Sequence, residues 1–294
     1  MVGGESVRLS ELVRNQRKYL DKVHAVPSNV VYRAVNLHVL DPDYNEIPGA
    51  YGTGVVIQNK GKHFLCTCWH VLTGIDPNDI RIGPNQTPRA YLRARLFKFR
   101  PSEINEEDFD RQIFIPLFHN DDFTNPRWLQ EPIDVEQATL NSVGIKVPAS
   151  WDFAMLEIPT SFASAGLSAI APNGMSPWLP GLCSTLIIAG YPYSYNASDH
   201  PLVPYPIAYK RNVAAVPFRS TTVSNSHQLL IEGDIAPGMS GSPAFLLYGE
   251  FCYLVGLYRG NIYPDHVHER GAKYNEHTAL GVVETLDSFW LDKV

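Results

Sequence analysis

The 294-residue sequence has no apolar run approaching the roughly eighteen residues that a membrane helix requires. Its most hydrophobic stretch, LIIAGY at 186–191, has strand length, so a membrane partner is not expected. Basic runs are missing too. With 24 Lys and Arg against 30 Asp and Glu, a formal charge of −6 argues against nucleic acid or anionic lipid as a main partner. The opening residues, MVGGESVRLSELVRNQRKYL, hold no continuous apolar segment of the kind a secretory leader needs, and the expected location is cytoplasmic. Cysteine is scarce, at four residues. Cys66 and Cys68 fall in a strand-like stretch, and Cys183 and Cys252 in apolar runs, so buried free thiols are expected rather than a disulfide framework. Cys66, Cys68 and His70 form a CxCxH pattern, but the only other cluster with ligand-like spacing is HVH at 266–268, and no metal or cofactor is expected. Internal repeats, low-complexity tracts and alternation of strands with helices are all absent.

What is present is a chain long and apolar enough, at 45% hydrophobic, to bury a large core. Leu9, Leu12, Val13, Leu20 and Val23 recur at helical spacing behind Ser10 as a candidate N-cap, predicting one amphipathic helix within residues 1–27. After Pro27 the pattern becomes short β-rich runs separated by Gly, Pro, Asn and Asp. They are NVVYRAVNLHVL, GTGVVIQ, HFLCTCW, AYLRARLFKF, RQIFIPLF, FAMLEI, STLIIAGY, QLLIEG, SPAFLLY and FCYLVGLY. This spacing predicts an all-β barrel or sandwich, with PNGMSPWLP at 172–180 as a linker between two halves. The last segment, ETLDSFWLDKV, is compatible with a short C-terminal helix.

The tripeptide Gly-Met-Ser occurs twice, ending at Ser176 and at Ser240. A serine hydroxyl is a poor nucleophile at neutral pH and needs a base, a group that orients the base, and donors for an oxyanion. Pro177 follows Ser176, lacks an N–H and restricts its neighbour, so that copy reads as a loop. Ser240 stands among Gly238, Met239, Gly241, Ser242 and Pro243, small residues that permit a tight turn with main-chain N–H groups facing a cavity. The GxSxG elbow of α/β-hydrolases is excluded because Ser242 replaces its second glycine. His70 closes the run HFLCTCWH, where a strand gives way to a loop, and suits the base. Asp152 heads the apolar run DFAMLEI, a place where a carboxylate needs a hydrogen-bonded partner. The order His70, Asp152, Ser240 at nearly even intervals is that of one known triad arrangement.

These pieces together resemble a trypsin-like, chymotrypsin-fold serine peptidase of the bacterial, non-secreted kind. The matching stretches are GTGVVI, TCWHVLTG, DFAMLEI, AGYP, PGMSGSPAF, LVGLYRG and ALGVV, in the family's order from about residue 50 onward. The resemblance implies two six-stranded antiparallel β-barrels, over 28–171 and 181–294, with the site in the cleft between them. It implies His70, Asp152 and Ser240 as the triad, Gly238 and Ser240 N–H groups as the oxyanion hole, and a protein or peptide as substrate. Asp234, six residues before Ser240, occupies the offset at which trypsin-type enzymes carry the carboxylate that selects Lys or Arg before the scissile bond. Arg259 lies on the facing wall, where it can pair with Asp234 and cancel that charge, and Gly260 stands where the pocket mouth must stay open.

The sequence also departs from the family. Digestive members carry an aspartate before the nucleophile that receives a newly cut N-terminus, and here that residue is Met239. The expectation is an enzyme that needs no N-terminal cleavage, restrained by narrow substrate choice or an activating protein partner. An insertion over about 99–150, containing PRWLQEPIDV, is expected to be an ordered hairpin on the first barrel rather than a disordered tail, with a docking surface as the alternative. The second functional reading is a peptidase-fold binding module with an idle triad, since fold does not fix function.

Overall fold

The computed structural model describes residues 28–75, 87–96, 111–120, 122–129, 152–159, 169–176, 178–192, 206–216, 228–233, 235–249, 251–262 and 280–286. Both expected terminal helices and Asp234 lie outside the described residues. Described structure is nearly all β: a short helix α1 (Ser28–Val31) leads into strands β1 (Ala34–Leu40), β2 (Glu46–Asn59) and β3 (Lys62–Thr67), followed by a five-residue helix α2 (Trp69–Thr73). Strands β4 (Tyr91–Leu96), β5 (Arg111–Pro116), β6 (Phe118–His119), β7 (Asp122–Pro126), β8 (Trp128–Leu129) and β9 (Ala154–Ile158) complete the first unit. The second contains β10 (Thr185–Gly190), β11 (Ile207–Ala215), β12 (Gln228–Glu232), β13 (Ser242–Tyr248), β14 (Phe251–Ile262) and β15 (Leu280–Thr285). Among the described residues no helix is long and apolar enough to cross a membrane.

The second unit is a closed six-stranded antiparallel barrel in the order β10-β11-β12-β15-β14-β13, which leaves no strand edge open. With the first unit it makes the all-β, two-barrel architecture expected, though the first sheet has seven strands rather than six. That sheet runs in the order β5-β4-β1-β2-β3-β9-β8, a half-barrel whose ladder does not close among the described residues. Its two outer strands come from the expected insertion: β5 adds to β4, β8 adds to β9, and the β6–β7 hairpin lies between them. Backbone bonds from Leu117 N–H to Ala90 O and from Arg127 N–H to Leu117 O, both 2.9 Å, draw the two edges toward each other. The described part of the insertion is ordered sheet; 97–110, 121 and 130–151 lie outside the described residues.

Side-chain alternation explains why the central strands read as continuous apolar runs. Val56, Leu65, Ala154 and Leu156 face the core of the first unit, whereas Val55, Ile57, Phe64, Cys66, Phe153 and Met155 face the opposite way. That second face packs on Ile187, Phe245, Leu254 and Leu257 of the barrel, so both faces of the sheet are buried. Every such side chain contributes about 1.5–3 kcal/mol by leaving water, which holds the two units face to face. The chain crosses between them at a single 3₁₀ turn (Pro172–Gly174), flanked by bridges from Ile170 to Ile57 and from Met175 to Leu254. β11 and β15 are absent from the strand runs read from sequence; in β11, Lys210, Arg211 and small residues dilute the pattern. Cys66 and Cys68 are buried, but Cys183 is exposed, on a turn closed by Ser184 N–H to Gly181 O just before β10.

Candidate active site

His70 sits in α2 immediately after β3, one helical turn rather than the loop expected. The turn stops at Gly74, whose left-handed backbone (φ 75°) lets its N–H return to His70 O. Asp152 precedes β9, the strand next to β3, and the pairing of Thr67 with Ala154 fixes the two residues side by side. Asp152 Oδ2 lies 2.5 Å from His70 Nδ1, and Oδ1 accepts the His70 backbone N–H at 2.9 Å. The carboxylate is fully buried whereas the imidazole keeps 28% of its surface. Burial pushes the Asp152 carboxyl up, but the His70 charge and hydrogen bonds, with the nearby Arg259 guanidinium, outweigh it and hold the group below the usual carboxylate range. An ionised carboxylate only accepts, so Nδ1 carries the proton and donates, leaving Nε2 with a lone pair toward the cleft.

Ser240 comes from the tight turn that enters β13. Gly238, with φ 91°, adopts a backbone that a side chain would strain, and Gly241 (φ 83°) is pressed so closely on Thr53 O and the Thr67 hydroxyl that a Cβ would overlap both. Thr53, in β2, ties this turn to the first unit. Its N–H donates to Ser240 O (2.8 Å), its hydroxyl donates to Gly238 O (3.1 Å), and it accepts Tyr191 N–H (3.0 Å). Met239 is fully buried in the barrel core, where its sulfur accepts the Ser242 hydroxyl at 3.7 Å. The Gly238 and Ser240 N–H groups make no backbone hydrogen bond among the described residues.

His70, Asp152, Gly238, Ser240, Arg259 and Gly260 line one cleft of about 470 Å³ between the two units. The Ser240 hydroxyl donates to Arg259 O at 3.1 Å. The Arg259 guanidinium turns behind the imidazole: Nη1 donates to Glu284 Oε1 at 3.2 Å and Nε lies 3.7 Å from Asp152 Oδ2. Its charge thus lies close to both of these carboxylates. Burial raises the Glu284 carboxyl to about 7 despite Arg259, and its Oε2 has no hydrogen-bond partner. Ser176, by contrast, donates its hydroxyl to Trp178 O at 2.7 Å, outside this cleft.

Cys68, His70 and Asp152 bring one ligand atom each within 4.8 Å of one another. Burial drives the Cys68 thiol far above its ordinary range and its sulfur faces Tyr258 O, a poor state for a metal ligand; Cys66 instead faces Phe64 O. Sequence reasoning missed Thr53, Glu284, Asn261 and Arg89 as members of the site. Thr53 lies inside GTGVVI and Asn261 follows LVGLYRG, but partners across the site are remote in sequence, 185 residues for Thr53 and Gly238 and 25 for Arg259 and Glu284.

No protein-family model and no curated protein matches the sequence. Solved structures are similar in shape. They include the active form of the Rv3671c protease of M. tuberculosis (TM-score 0.46, 14% identity, covering 90% of this chain and 81% of that one) and its inactive form (0.47, 14%, 90% and 89%). A thermostable serine protease, AL20, from an extremophilic microorganism is similar at TM-score 0.49 and 9% identity, covering 90% of this chain and 95% of the other. At such distance the chemistry of this chain rests on its own residues.

Proposed function

We propose that the chain is a serine endopeptidase that works through His70, Asp152 and Ser240. The observation that carries this reading is the two-point clamp of buried Asp152 on His70, which fixes the imidazole tautomer in the cleft that Ser240 also lines. Catalysis begins when the Ser240 hydroxyl leaves Arg259 O and turns to His70 Nε2. The oxygen attacks the scissile carbonyl as its proton passes to Nε2, and Asp152 stabilises the imidazolium. The Gly238 and Ser240 N–H groups, with no backbone acceptor among the described residues, receive the developing oxyanion. His70 then protonates the leaving amine, and water releases the acyl group by the reverse steps. Removing the nucleophile or the base costs on the order of 10⁶ in kcat, and Asp152→Asn about 10⁴.

Met239 supports activity without N-terminal cleavage. The nucleophile turn is held by a thioether packed in the barrel core and by Thr53, not by an ion pair with a new amino terminus. Cleavage after Lys or Arg is the preference proposed from Asp234, and restraint by a protein partner is proposed for a chain whose expected location is cytoplasmic. The test is digestion of a denatured protein mixture by the purified chain, with cleavage sites read by mass spectrometry. Cleavage abolished by Ser240→Ala supports the reading. An unchanged digest from that variant, or none from the wild type, favours the idle binding module, and an Asp234→Ser profile identical to wild type removes the basic preference.

A further inference from the structure

Arg89 lines the same cleft as His70 and Ser240, yet the catalytic steps do not use it. Its guanidinium lies against Gly74, so closely that a Cβ there would overlap it, and Nη1 donates to Val71 O at 2.9 Å. One bond occupies one of five N–H donors. Burial draws its proton affinity down to about 10, and among the described residues no carboxylate opposes the shift. Among the described residues it forms no ion pair, whereas Arg259 in the same cleft is matched by Asp152 and Glu284. A half-buried guanidinium with spare planar donors and no counter-ion among the described residues is suited to a carboxylate, which it grips by two parallel bonds.

Its place in the cleft says which part of a substrate would bring that carboxylate. The oxyanion donors and the wall of Pro237, Gly260, Asn261 and Val282 belong to the barrel and take the acyl half. The leaving amine must reach His70, so residues after the scissile bond run past Gly49, Tyr51, Val71 and Gly74, where Arg89 stands. We propose that Arg89 forms a carboxylate-binding subsite on the leaving-group side, selecting substrates with an acidic side chain or a free C-terminal carboxylate shortly after the cleaved bond. The inference rests on the peptidase reading for its orientation, but the binding it describes needs no turnover.

The test uses leaving-group mimics and the intact chain. Tripeptide amides carrying Glu at the first, second or third position, their Gln counterparts, and the matching all-neutral tripeptide as its free acid are titrated by calorimetry. A charge-assisted pair discriminates by about 10- to 100-fold, so at least one carboxylate peptide binds that much more tightly than its neutral counterpart. Preference for a Glu position identifies a side chain, and preference for the free acid identifies a chain terminus. Arg89→Gln brings the ratio to about one, Arg89→Lys restores part of it, and added salt weakens it. Because the readout is a ratio, a general disturbance of the His70 turn does not imitate the result. Equal affinities, no binding by the carboxylate peptides at millimolar concentration, or a preference that survives Arg89→Gln overturns the subsite. Discrimination among the tripeptides with no cleavage in the protein digest overturns the peptidase reading and leaves the subsite standing; cleavage in the digest without discrimination among the tripeptides does the opposite.

Discussion

Arg259 Nε lies 3.7 Å from Asp152 Oδ2, the same oxygen that receives His70 Nδ1 at 2.5 Å. One carboxylate therefore serves two cations or near-cations, and the arginine links it to a second buried acid, Glu284. The guanidinium and the nucleophile's hydrogen-bond acceptor belong to one residue, because Arg259 O accepts the Ser240 hydroxyl. Packing in the barrel thus reaches both ends of the proposed triad.

Replacing Arg259 with Met leaves two buried carboxylates without their shared cation. Breaking such a pair costs about 3–5 kcal/mol, and urea unfolding at pH 7 should show a loss of that size. The double variant Arg259→Met, Glu284→Gln, which removes one of the stranded charges, recovers part of it. A single variant as stable as wild type contradicts this arrangement.

Glu284 makes stability depend on pH near neutrality. Its folded carboxyl titrates at about 7 against an ordinary 4.5, so the folded state holds the proton more tightly. Its contribution is fully present below about pH 4.5 and is lost as pH rises through 7, on the order of 3 kcal/mol across the interval. Asp152 has the opposite sign: its lowered carboxyl supports the fold above 3.8, and that support goes as pH falls further. Unfolding measured from pH 5 to 8 should therefore decline more steeply in wild type than in Glu284→Gln. Parallel curves count against Glu284 as the titrating group; Asp152, Arg259 and Cys68 are the ionisable neighbours whose interactions shape its response.

Thr53→Val keeps the shape of the side chain and removes the hydroxyl that joins Gly238 O to Tyr191 N–H. The buried Tyr191 N–H loses its partner, at about 1–3 kcal/mol, and the half-buried Gly238 O loses its own. Turnover should fall through kcat more than through KM, because the loosened element is the nucleophile turn and not the outer cleft. A variant with wild-type kcat rejects Thr53 as a positioning residue.

The parts of this site that were legible in the sequence are those in which neighbours in space are neighbours in the chain. Gly238 to Pro243 build the nucleophile turn from their own backbone preferences, and Trp69 to Gly74 carry His70 on one short turn. Asp152 was legible because a charge at the head of a buried strand demands a partner. The reading of Arg259 as a possible partner of Asp234 could not anticipate Glu284, since nothing local says that β15 lies beside β14. The seven-stranded first sheet was hidden for a similar reason. RQIFIPLF reads as a strand in isolation, but its placement beside β4, and that of Trp128–Leu129 beside β9, depends on pairing across the sheet.

The central claim is that Ser240 acts as an assembled nucleophile without prior N-terminal cleavage of this chain. Treating the purified, uncut protein with a fluorophosphonate, which phosphonylates an activated serine with loss of fluoride, and weighing it intact tests this most directly. The account predicts one adduct per chain, present in Ser176→Ala and absent in both Ser240→Ala and His70→Ala. An unlabelled wild type, or an adduct that persists in Ser240→Ala, contradicts it.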